Sequence, residues 1–527
     1  MPLIPVARVD ADVAVIGSGF AGSLTTLALL KRGRRVALVE RGRHPRFAIG
    51  ESSTPLANLL IEELADQYDL PRIRPFSKWG TWQRARPDVA CGLKRGFTFF
   101  FHQPGAAFED DRNRERQLMV AASPHDEIAD MHWYRPQFDQ ALAEEAQREG
   151  AVYLDQTRLT GIRHEGESSI LDGDREGKSV RITARFVIDA SGPRGFLHRE
   201  LGLGQAPGRW LPATQGLYTH FDGVERWDRL RPSAALPPYP IDDAAVHHVF
   251  PGGWIWVLRF NNGLTSAGAA LTDRTAAEFG AAEGEIAWDR LLTALPSVAD
   301  QFRTARAALP FVHASRLAFR SARVAGSSWA LLPSAAGVID PLLSTGFPLT
   351  LLGIIRLVDL LERTSPGQER EAALERYEKT TLAELDVTEQ LVAALYATMN
   401  DPALFKRLSL LYFAAASFSE AARRLGRADL APGFLLREHP TFGRELTACS
   451  LLAASLPSRD ARRSLEARID RAIEPFDIAG LLDNGRGSWY PVVADDVLAS
   501  ASKLEASRDD VLRLLERTGM APTVKDS

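Results

Sequence analysis

The chain has 527 residues, a formal net charge of −4 and a composition that is 45% hydrophobic and 25% charged. Length and composition predict a globular protein of two or three packed units, and the small net charge favours neither nucleic acid nor an anionic membrane as a partner. The two cysteines are too few for a disulfide framework or a zinc site, which fits a cytoplasmic protein in a reducing compartment.

Neither a signal peptide nor a membrane-spanning helix is expected. The first apolar run has no basic region before it and is interrupted by Gly17 and Gly19, so a strand is predicted there. The most apolar later segment, residues 346–361, carries Arg356 and Asp359 and is shorter than a bilayer requires. We therefore expect no membrane partner.

Residues 12–40 have the pattern of a βαβ unit that binds ADP. They contain an apolar strand pattern, three glycines in G-x-G-x-x-G spacing, a helical pattern and a second strand. Gly17 would allow the tight turn, Gly19 the approach of a pyrophosphate, and Gly22 the close packing of helix on strand. Because all these parts occur in register, the pattern is much more specific than a glycine triplet alone.

The start of the predicted helix and the end of the second strand supply the polar contacts of this unit. The dipole and the unpaired N–H groups at a helix start favour a phosphate, which would lie beside Phe20 and Ala21. Glu40 lies 21 positions after Gly19, where an acid would accept hydrogen bonds from a ribose diol. Arg41 is either a solvated loop charge or a neighbour of the nucleotide.

Further strand and helix patterns follow in chain order. A helical pattern spans residues 135–148, and a strand pattern over 180–188 ends in the turn D-A-S-G. From 201 to 311 the pattern changes to hairpin-like alternation. A last strand pattern at 329–332 runs into a glycine-bearing loop that begins a helix near Phe347.

Elements of one nucleotide domain that are interrupted by a β-rich stretch indicate a large FAD-binding fold, because the sheet of a simple NAD domain would be contiguous. The predicted fold class is α/β (α+β overall), with a Rossmann-like FAD-binding domain. The tail is mostly helical in period, and its composition leaves open whether it covers the substrate pocket or forms an interface. The predicted units are the FAD-binding domain at 8–200 and 312–370, a β-rich substrate lobe at 201–311 and a helical C-terminal region at 371–527.

Six motifs occur in the order in which one enzyme family carries them: G-S-G-F-A-G, G-E-S-S-T-P (50–55), R-P-Q-F-D (135–139), D-A-S-G (189–192), the W-x-W of Trp254 and Trp256, and G-V-I-D-P-L-L-S-T-G (337–346). By these motifs the chain resembles the flavin-dependent halogenases, which are built on the FAD fold of aromatic hydroxylases. The segments C-G-L-K-R-G-F and W-I-W-V-L-R-F-N-N-G-L-T-S-A-G look most like the pyrrolnitrin-pathway branch, which chlorinates a free aminophenylpyrrole.

The resemblance implies an FADH₂-dependent halogenase of secondary metabolism, such as antibiotic biosynthesis. Reduced flavin, O₂ and chloride or bromide would yield hypohalous acid, and the substrate would be an electron-rich small aromatic molecule such as a pyrrole, phenol or aniline. A separate flavin reductase would supply FADH₂, since the chain has no second dinucleotide fingerprint. A homodimer is left open.

Lys94 matches the lysine that this family uses to hold or capture the hypohalous acid. Phe97, Phe99 and Phe101 follow it in alternation, as on one face of a strand. An ammonium beside these rings would lose solvation, and its pKa would be lowered. The alternative is a surface lysine beside Arg95.

Ser344, Thr345 and Gly346 match the family's halide-binding turn. Backbone N–H groups and a hydroxyl at a helix start would stabilise an anion there. An ordinary Ser/Thr cap of the following helix is compatible with the same turn. Pro341 matches the residue that packs near the isoalloxazine.

The remaining positions are assigned by the same resemblance. The predicted FAD contacts are Gly17, Gly19, Phe20, Ala21, Gly22, Glu40, Arg41, Ser52, Arg135, Asp189, Gly192, Asp340 and Pro341. The predicted substrate or tunnel residues are Phe97, Phe99, Phe101, Trp254 and Trp256, with the two tryptophans as core aromatics or in a direct chemical role. His247 and His248 would point to opposite faces of a strand, so no metal site is expected.

Three departures from the family pattern bear on function. Leu343 stands where the tryptophan branch has an acid, which argues against an indole that a carboxylate orients at that position. Arg259 stands where the pattern W-x-W-x-I-P has proline. Pro333 and Ser334 replace the Gly-Asp of related hydroxylases, so the contact to the ribityl chain of FAD is expected to differ.

Two other functions remain open at this stage. One is an aromatic monooxygenase of the same fold, for which the departure at Arg259 leaves room, and the other is a flavin-binding protein without catalytic activity. The sequence does not identify an acid or base that assists Lys94. Glu51, His102 and His132 are the candidates.

Overall fold

The glycine-rich unit lies at the centre of a mainly parallel sheet, as predicted. In this computed structural model, which describes residues 7–206, 208, 210, 212–455 and 459–520, the strand Ala7–Ile16 leads through the helix Phe20–Lys31 to the strand Val36–Val39. Ala7–Ile16 pairs in parallel with Val36–Val39 and with Lys178–Asp189. The carboxyl ends of these strands therefore meet at one edge, where Gly17 follows the first of them.

Residues distant in sequence complete this first sheet. The predicted strand at 329–332 is present as Trp329–Leu331 and pairs in parallel with Lys178–Asp189. An antiparallel hairpin, Thr157–Glu165 and Ser168–Arg175, extends from Lys178–Asp189. The main path of the sheet is, in order, Ala325–Gly326, Trp329–Leu331, Lys178–Asp189, Ala7–Ile16, Val36–Val39 and Val152–Leu154.

A second sheet, mostly antiparallel, contains the predicted β-rich stretch and strands from outside it. Gly96–Phe101 and Gln117–Ala121, which lie within the range predicted for the FAD-binding domain, pair in it, as does Trp489–Tyr490. Because strands from all three predicted units take part in this one sheet, the unit boundaries proposed from the sequence remain a prediction. The order is Arg306–Ala307, Thr214–Asp222, Thr265–Thr272, Gly253–Arg259, Ala245–Phe250, Gly96–Phe101, Gln117–Ala121 and Trp489–Tyr490, with Val312–Ala314 also paired to Thr214–Asp222.

A short antiparallel pair of strands, Cys91–Lys94 and Asp130–Trp133, carries the predicted catalytic lysine. We call this pair the lysine hairpin, although its two strands are not consecutive in the sequence. Its strands pair antiparallel, with Lys94 directly opposite Asp130 and Cys91 opposite Trp133. A second two-stranded pair consists of Phe319–Arg320 and Gly337–Val338.

Helices surround the sheets and form most of the C-terminal region, as the period of that region predicted. The helix Arg135–Arg148 has the bounds that its pattern predicted. The other α-helices are Pro55–Gln67, Trp79–Ala85, Phe196–Glu200, Trp227–Leu230, Asp273–Phe279, Glu285–Ala294, Pro296–Phe302, Pro333–Ala336, Gly346–Arg363, Gln368–Ala397, Pro402–Arg424, Phe442–Ala453, Arg459–Ile473, Ala494–Ala499 and Arg508–Arg517.

The apolar segment that begins near residue 346 is long enough to cross a membrane, so the argument from its length is wrong. Leu342–Arg363 passes the length and composition test for a membrane span, but 72% of its apolar window is buried inside the fold. Core helices of globular proteins pass the same test.

The aromatic strand joins the second sheet to the C-terminal helices. Phe99 is fully buried, with its ring centroid 4.4 Å from that of His247 and 5.9 Å from that of Phe405 in the helix Pro402–Arg424. Phe97 and Phe101 lie on the same face and contact the same helix. These alternating phenylalanines are therefore a packing seam between sheet and tail.

Replacing Phe99 by alanine should lower the free energy of unfolding by about 3–5 kcal/mol, because the substitution leaves a cavity in this seam. Leu236→Ala is the control, since Leu236 is 95% exposed, and it should change stability by less than about 0.5 kcal/mol. Chemical denaturation of both variants measures the difference. Equal stabilities would show that the seam does not hold the tail.

Candidate functional site

The glycine loop at the edge of the first sheet has the shape of a nucleotide cradle. Gly17 has φ +98°, and a Cβ there would lie 2.7 Å from the carbonyl oxygen of Ala190. A Cβ on Gly22 would lie 1.8 Å from the carbonyl oxygen of Gly17, so helix and strand approach as closely as the motif predicts. Around Gly19 the position of a Cβ is open, with the nearest atoms 3.5–3.6 Å away on Arg135, Asp139 and Arg46.

Glu40 lies beside this loop as predicted. Its Oε2 accepts hydrogen bonds from the N–H and the hydroxyl of Ser18, at 3.1 and 3.2 Å, and Oε1 accepts one from the N–H of Gly42 at 2.8 Å. Burial raises the pKa of Glu40, but the charge of Arg46 and the backbone N–H groups outweigh burial and hold that pKa below its usual value. The arginine that contacts Glu40 is Arg46, at 3.2 Å, whereas Arg41 is exposed.

Arg135 connects the glycine loop to the next motif. Its guanidinium forms a two-point ion pair with Asp139, and Asp139 accepts the N–H of Phe20 at 3.2 Å. The same guanidinium donates to the carbonyl oxygens of Ile49 and Gly50, at 3.2 and 2.9 Å. Arg135 therefore lies between the start of the first helix, where Phe20 and Ala21 are buried, and the G-E-S-S-T-P segment.

Asp189 is engaged within its own turn. One carboxylate oxygen accepts the N–H and the hydroxyl of Ser191, at 2.8 and 2.6 Å, and the other accepts the N–H of Leu197 at 2.7 Å. Gly192 has φ +89°, which a side chain would strain. These contacts shape the turn beside Gly17, so the D-A-S-G motif supports the cradle.

The residues at this edge fit FAD. The N-terminus of the first helix has no side-chain cap, the Cβ position of Gly19 is open, and Nε of Arg46 is buried without a hydrogen-bond partner. An uncapped helix start beside two arginines suits a pyrophosphate. Glu40 is placed to accept hydrogen bonds from a ribose.

Lys94 is completely buried, so a surface position is wrong. Its Nζ donates to Oγ of Ser52 at 2.9 Å and to the carbonyl oxygen of Ser53, and lies 3.8 Å from the centroid of the Phe97 ring. Burial lowers the pKa of Lys94, and the charge of Asp130 raises it in part. Ser52, predicted to contact FAD, hydrogen-bonds the lysine in this structure.

The predicted halide turn is strained and leads into an uncapped helix. Leu343 and Ser344 have φ +65° and +55°, in the left-handed region that non-glycine residues rarely adopt. Thr345, the residue before the helix Gly346–Arg363, makes no side-chain capping hydrogen bond, so an ordinary capping role is wrong. Thr345 is buried and Gly346 is exposed.

Asp340, at the start of this turn, is held by a buried network. Its carboxylate accepts the hydroxyl of Tyr396 at 2.9 Å and the N–H of Leu342 at 3.0 Å, and Nε1 of Trp254 donates to Tyr396 at 3.1 Å. Burial raises the pKa of Asp340 to about 6. Trp254 therefore supports the turn from the second sheet, while the neighbouring Pro341 is half-buried.

The turn, the glycine loop and the lysine hairpin share aromatic contacts. The Phe347 ring lies 4.9 Å from Phe20 and 4.1 Å from Trp133 between centroids. The hydroxyl of Tyr412 donates to the carbonyl oxygen of Leu343 at 2.9 Å. The structure thus brings the predicted cofactor, halide and lysine positions together.

A cavity of about 1370 Å³, counted with the solvent at its mouth, adjoins this centre. Phe97, Tyr412, Asn58 and Asp130 line it, and residues of the C-terminal region form much of its wall. The tail therefore covers a cavity, and its covering of a substrate pocket stays a prediction. Lys94 stands behind Phe97 and does not itself line this cavity.

The other predicted residues have structural contacts. Trp256 donates Nε1 to the hydroxyl of Ser266 at 3.2 Å, and Phe101 packs on Phe405. Arg259, which stands in place of the family's proline, pairs with Asp242 at 3.1 Å and donates to the carbonyl oxygens of Val224 and Glu225. Its contacts are therefore structural ones within the lobe.

The three candidate acids and bases are each engaged. Glu51 pairs with His220 at 2.8 Å, and His102 contacts His248 at 3.0 Å. His132 contacts the carbonyl oxygen of Ala244 at 3.2 Å, and burial lowers its pKa well below the usual value. His247 stacks on Phe99, on the face opposite to His248, as predicted for adjacent strand residues.

Several residues of the centre were missed by the sequence analysis: Arg46, Asp130, Asp139, Tyr396 and Tyr412. Asp139 is the last residue of the motif R-P-Q-F-D, four positions after Arg135, a spacing that predicts an ion pair on a helix. The others meet the site from distant segments and have no local signal.

Comparisons with known proteins agree with the geometry. Residues 12–333 match the family model of FAD dependent oxidoreductases. The monodechloroaminopyrrolnitrin halogenase PrnC of Pseudomonas fluorescens is 31% identical over 74% of this chain and 68% of its own length. The tetracycline 7-halogenase of Kitasatospora aureofaciens is 31% identical over 70% and 67%. The crystal structure of halogenase PltM, at 24% identity, has the same fold, with a TM-score of 0.81 over 91% of this chain and 99% of that one.

Gly19→Ala should lower the affinity for FAD by about tenfold or more, since displacing one hydrogen bond to a charged phosphate costs about 1.5–3 kcal/mol. The added methyl meets only ordinary contacts, so the melting temperature without FAD should not change. Gly161→Ala is the matched control, because no atom lies within 4 Å of its added methyl. Fluorescence titration with FAD measures the affinities; an unchanged affinity in Gly19→Ala would place the pyrophosphate elsewhere.

Proposed function

Because this chain belongs to the flavin-dependent halogenases, within the FAD dependent oxidoreductases, we propose that it chlorinates or brominates an electron-rich aromatic ring with Lys94 as its catalytic residue. The ring would be a pyrrole, a phenol or an aniline. The observation that carries the proposal is the completely buried ammonium of Lys94 against Phe97, which lines a cavity.

Bound FAD, in its reduced form and with O₂, supplies the oxidising power that converts halide to hypohalous acid. The chain's own residues hold the reactants. The glycine loop, Arg46 and Glu40 would bind the ADP portion, and the start of the helix Gly346–Arg363 would bind the halide. The N–H groups of a first helical turn have no partner inside the helix, and no side chain caps this one.

Lys94 would hold the hypohalous acid and give its oxygen a proton. Phe97 and the hairpin exclude water from the ammonium, and Ser52 and Ser53 fix its position. A desolvated ammonium with a lowered pKa gives up a proton more readily than an exposed one. When the halogen passes to the ring carbon, the departing hydroxide takes this proton and leaves as water.

The cavity suits a small aromatic substrate that is not oriented as an indole. Leu343 occupies the position of the tryptophan-branch acid, and its side chain is buried. Its backbone carbonyl oxygen accepts a hydrogen bond from the hydroxyl of Tyr412. Arg259, the departure that left room for a hydroxylase, is bound to Asp242 in the lobe. No observation in the described residues favours the hydroxylase over the halogenase.

A separate flavin reductase as the source of FADH₂ and a homodimeric assembly belong to this proposal as expectations. The boundaries of the three units belong to it as well.

Lys94→Met should lower the rate of halogenation by about 10²–10⁴-fold, the usual contribution of a positioned proton donor, while reduced flavin is still oxidised by O₂. The assay contains FAD, a flavin reductase, NADH, O₂ and bromide, with pyrroles and phenols as substrates, and mass spectrometry detects the products. Lys406→Met is the matched control, because Lys406 is largely buried but contacts Ser488 away from the cavity. A hydroxylated product that ignores bromide and survives Lys94→Met would overturn the proposal.

Thr345→Val should raise the KM for chloride and bromide by about tenfold, because one hydrogen bond to a charged group is worth about 1.5–3 kcal/mol. Thr364→Val, at the other end of the same helix, is the control, since its hydroxyl donates to the carbonyl oxygen of Leu360 and accepts from Nε of Arg370, away from the proposed halide site. Initial rates against halide concentration give both constants. A KM that does not change in Thr345→Val would remove the hydroxyl from the halide site.

A further inference from the structure

A second ionisable side chain, Asp130, lies beside Lys94 and faces the cavity. The two residues are directly opposite each other in the antiparallel hairpin, so their side chains project from the same face, with Cβ atoms about 4.5–5.5 Å apart. Asp130 is 4% exposed and lines the same cavity as Phe97, whose ring centroid lies 3.8 Å from Nζ of Lys94. It is the carboxylate nearest to Lys94 along the hairpin.

Only half of the Asp130 carboxylate is satisfied within the protein. Nδ2 of Asn58 donates to Oδ1 at 2.6 Å, whereas Oδ2 is buried without a hydrogen-bond partner. An unpaired buried carboxylate oxygen costs free energy that a purely structural aspartate would avoid. A donor on a molecule in the cavity would satisfy it.

The proposed function supplies molecules with such a donor: phenols, pyrroles and anilines carry O–H or N–H groups that activate the ring. On the premise of that function, we propose that Asp130 is a second catalytic residue, the base that accepts the ring O–H or N–H proton while the ring carbon attacks hypohalous acid held by Lys94.

The step balances. The carbon–halogen bond forms as the oxygen–halogen bond breaks, and the departing oxygen takes a proton from Lys94 and leaves as water. The ring O–H or N–H proton passes to Asp130, and the neutral dienone or imine tautomerises to the halogenated arene. Because the two side chains form no ion pair, the water formed in this step relays the proton of Asp130 to the Lys94 amine. The sum is arene plus hypohalous acid giving haloarene plus water.

The surroundings of the pair suit this exchange. Groups from three elements face Asp130. Lys94 lies opposite it in the hairpin, and Asn58 lies on the helix Pro55–Gln67. Tyr412, Glu420 and Arg424 lie on the helix Pro402–Arg424. Burial raises the pKa of Asp130, and Glu420 adds to the rise, while Lys94, Asn58 and Arg424 lower it in part.

Burial lowers the pKa of Lys94, and the charge of Asp130 raises it in part. A base whose pKa is raised and an acid whose pKa is lowered can pass a proton between them near neutral pH.

The role predicts which substrates depend on Asp130. Phloroglucinol has ring O–H groups, and 1,3,5-trimethoxybenzene is a similarly electron-rich ring without them. Asp130→Asn keeps the shape and the bond to Asn58 but cannot take a proton. It should lower kcat/KM for bromination of phloroglucinol by about 10²-fold. The effect on trimethoxybenzene, which has no O–H proton to give, should be much smaller when the assay pH is low enough for Lys94 to keep its proton. Asp242→Asn, the same change at a buried carboxylate outside the cavity, should leave both rates within about threefold of wild type.

The pH profile gives a readout that a merely structural role would not move. In the wild type, kcat/KM for phloroglucinol should fall on the acid side as Asp130 is protonated and on the alkaline side as Lys94 loses its proton. Asp130→Asn should abolish the acid limb and move the alkaline limb to lower pH, because the charge of Asp130 raises the pKa of Lys94. Asn58→Ala should move the acid limb to higher pH, because the hydrogen bond of Asn58 lowers the pKa of Asp130.

Asn58→Ala keeps the inference testable if Asp130→Asn does not fold. Unchanged rates and an unchanged pH profile in whichever variant folds would overturn the role of Asp130. If Lys94→Met alone then abolished bromination, the proposed function would stand without it. If the wild type brominated neither ring while oxidising reduced flavin, the proposed function would fail and this inference with it.

Discussion

The burial of one ammonium group governs the arrangement of this centre. Among the residues that the structure describes, no carboxylate lies within ion-pair distance of Nζ of Lys94. The ammonium depends on a hydroxyl, a carbonyl oxygen and an aromatic face to offset the loss of water. Ser52 and Ser53 supply the two oxygens, so the segment that carries them must be rigid. Ser52 of that segment pairs with His132 of the lysine hairpin, and Arg135 donates to the carbonyl oxygen of Gly50 from the side of the glycine loop. These contacts hold the segment in place.

The same rigidity joins the cofactor and halide positions to the lysine. Trp133, next to the start of the helix that carries Arg135, stacks on Phe347, and Phe347 also touches Phe20 at the glycine loop. The strained turn before Phe347 is held from the other side by Tyr412 and by the Asp340 network. A strained turn persists only where its neighbours hold it in place. Here they lie on three elements: the helices Pro402–Arg424 and Gln368–Ala397, which carry Tyr412 and Tyr396, and the strand Gly253–Arg259, which carries Trp254.

The sequence predicted the parts of this centre that repeat a local pattern. The βαβ unit, the helix at 135–148 and the motif turns follow from periodicity and glycine spacing, and the resemblance identified Lys94. It did not predict Asp130, which sits in an ordinary polar stretch and meets Asn58 across 72 positions. The sequence analysis also named Arg41 and did not consider Arg46, because only the path of the loop decides which arginine returns to Glu40. Residues whose role comes from a long-range contact leave no periodic signal.

The proposed reacting groups and much of the cavity wall come from different parts of the sequence. The glycine loop, the lysine hairpin and the halide turn all lie before residue 347, and the matched family model ends at residue 333. Much of the cavity wall comes from later residues, in the helix Pro402–Arg424 and beyond Ile478. Replacing wall residues there changes the shape offered to a ring without touching the groups that bind flavin or halide. If the cavity binds the substrate as proposed, substitutions in the tail would change substrate choice while Lys94 and its neighbours keep their geometry.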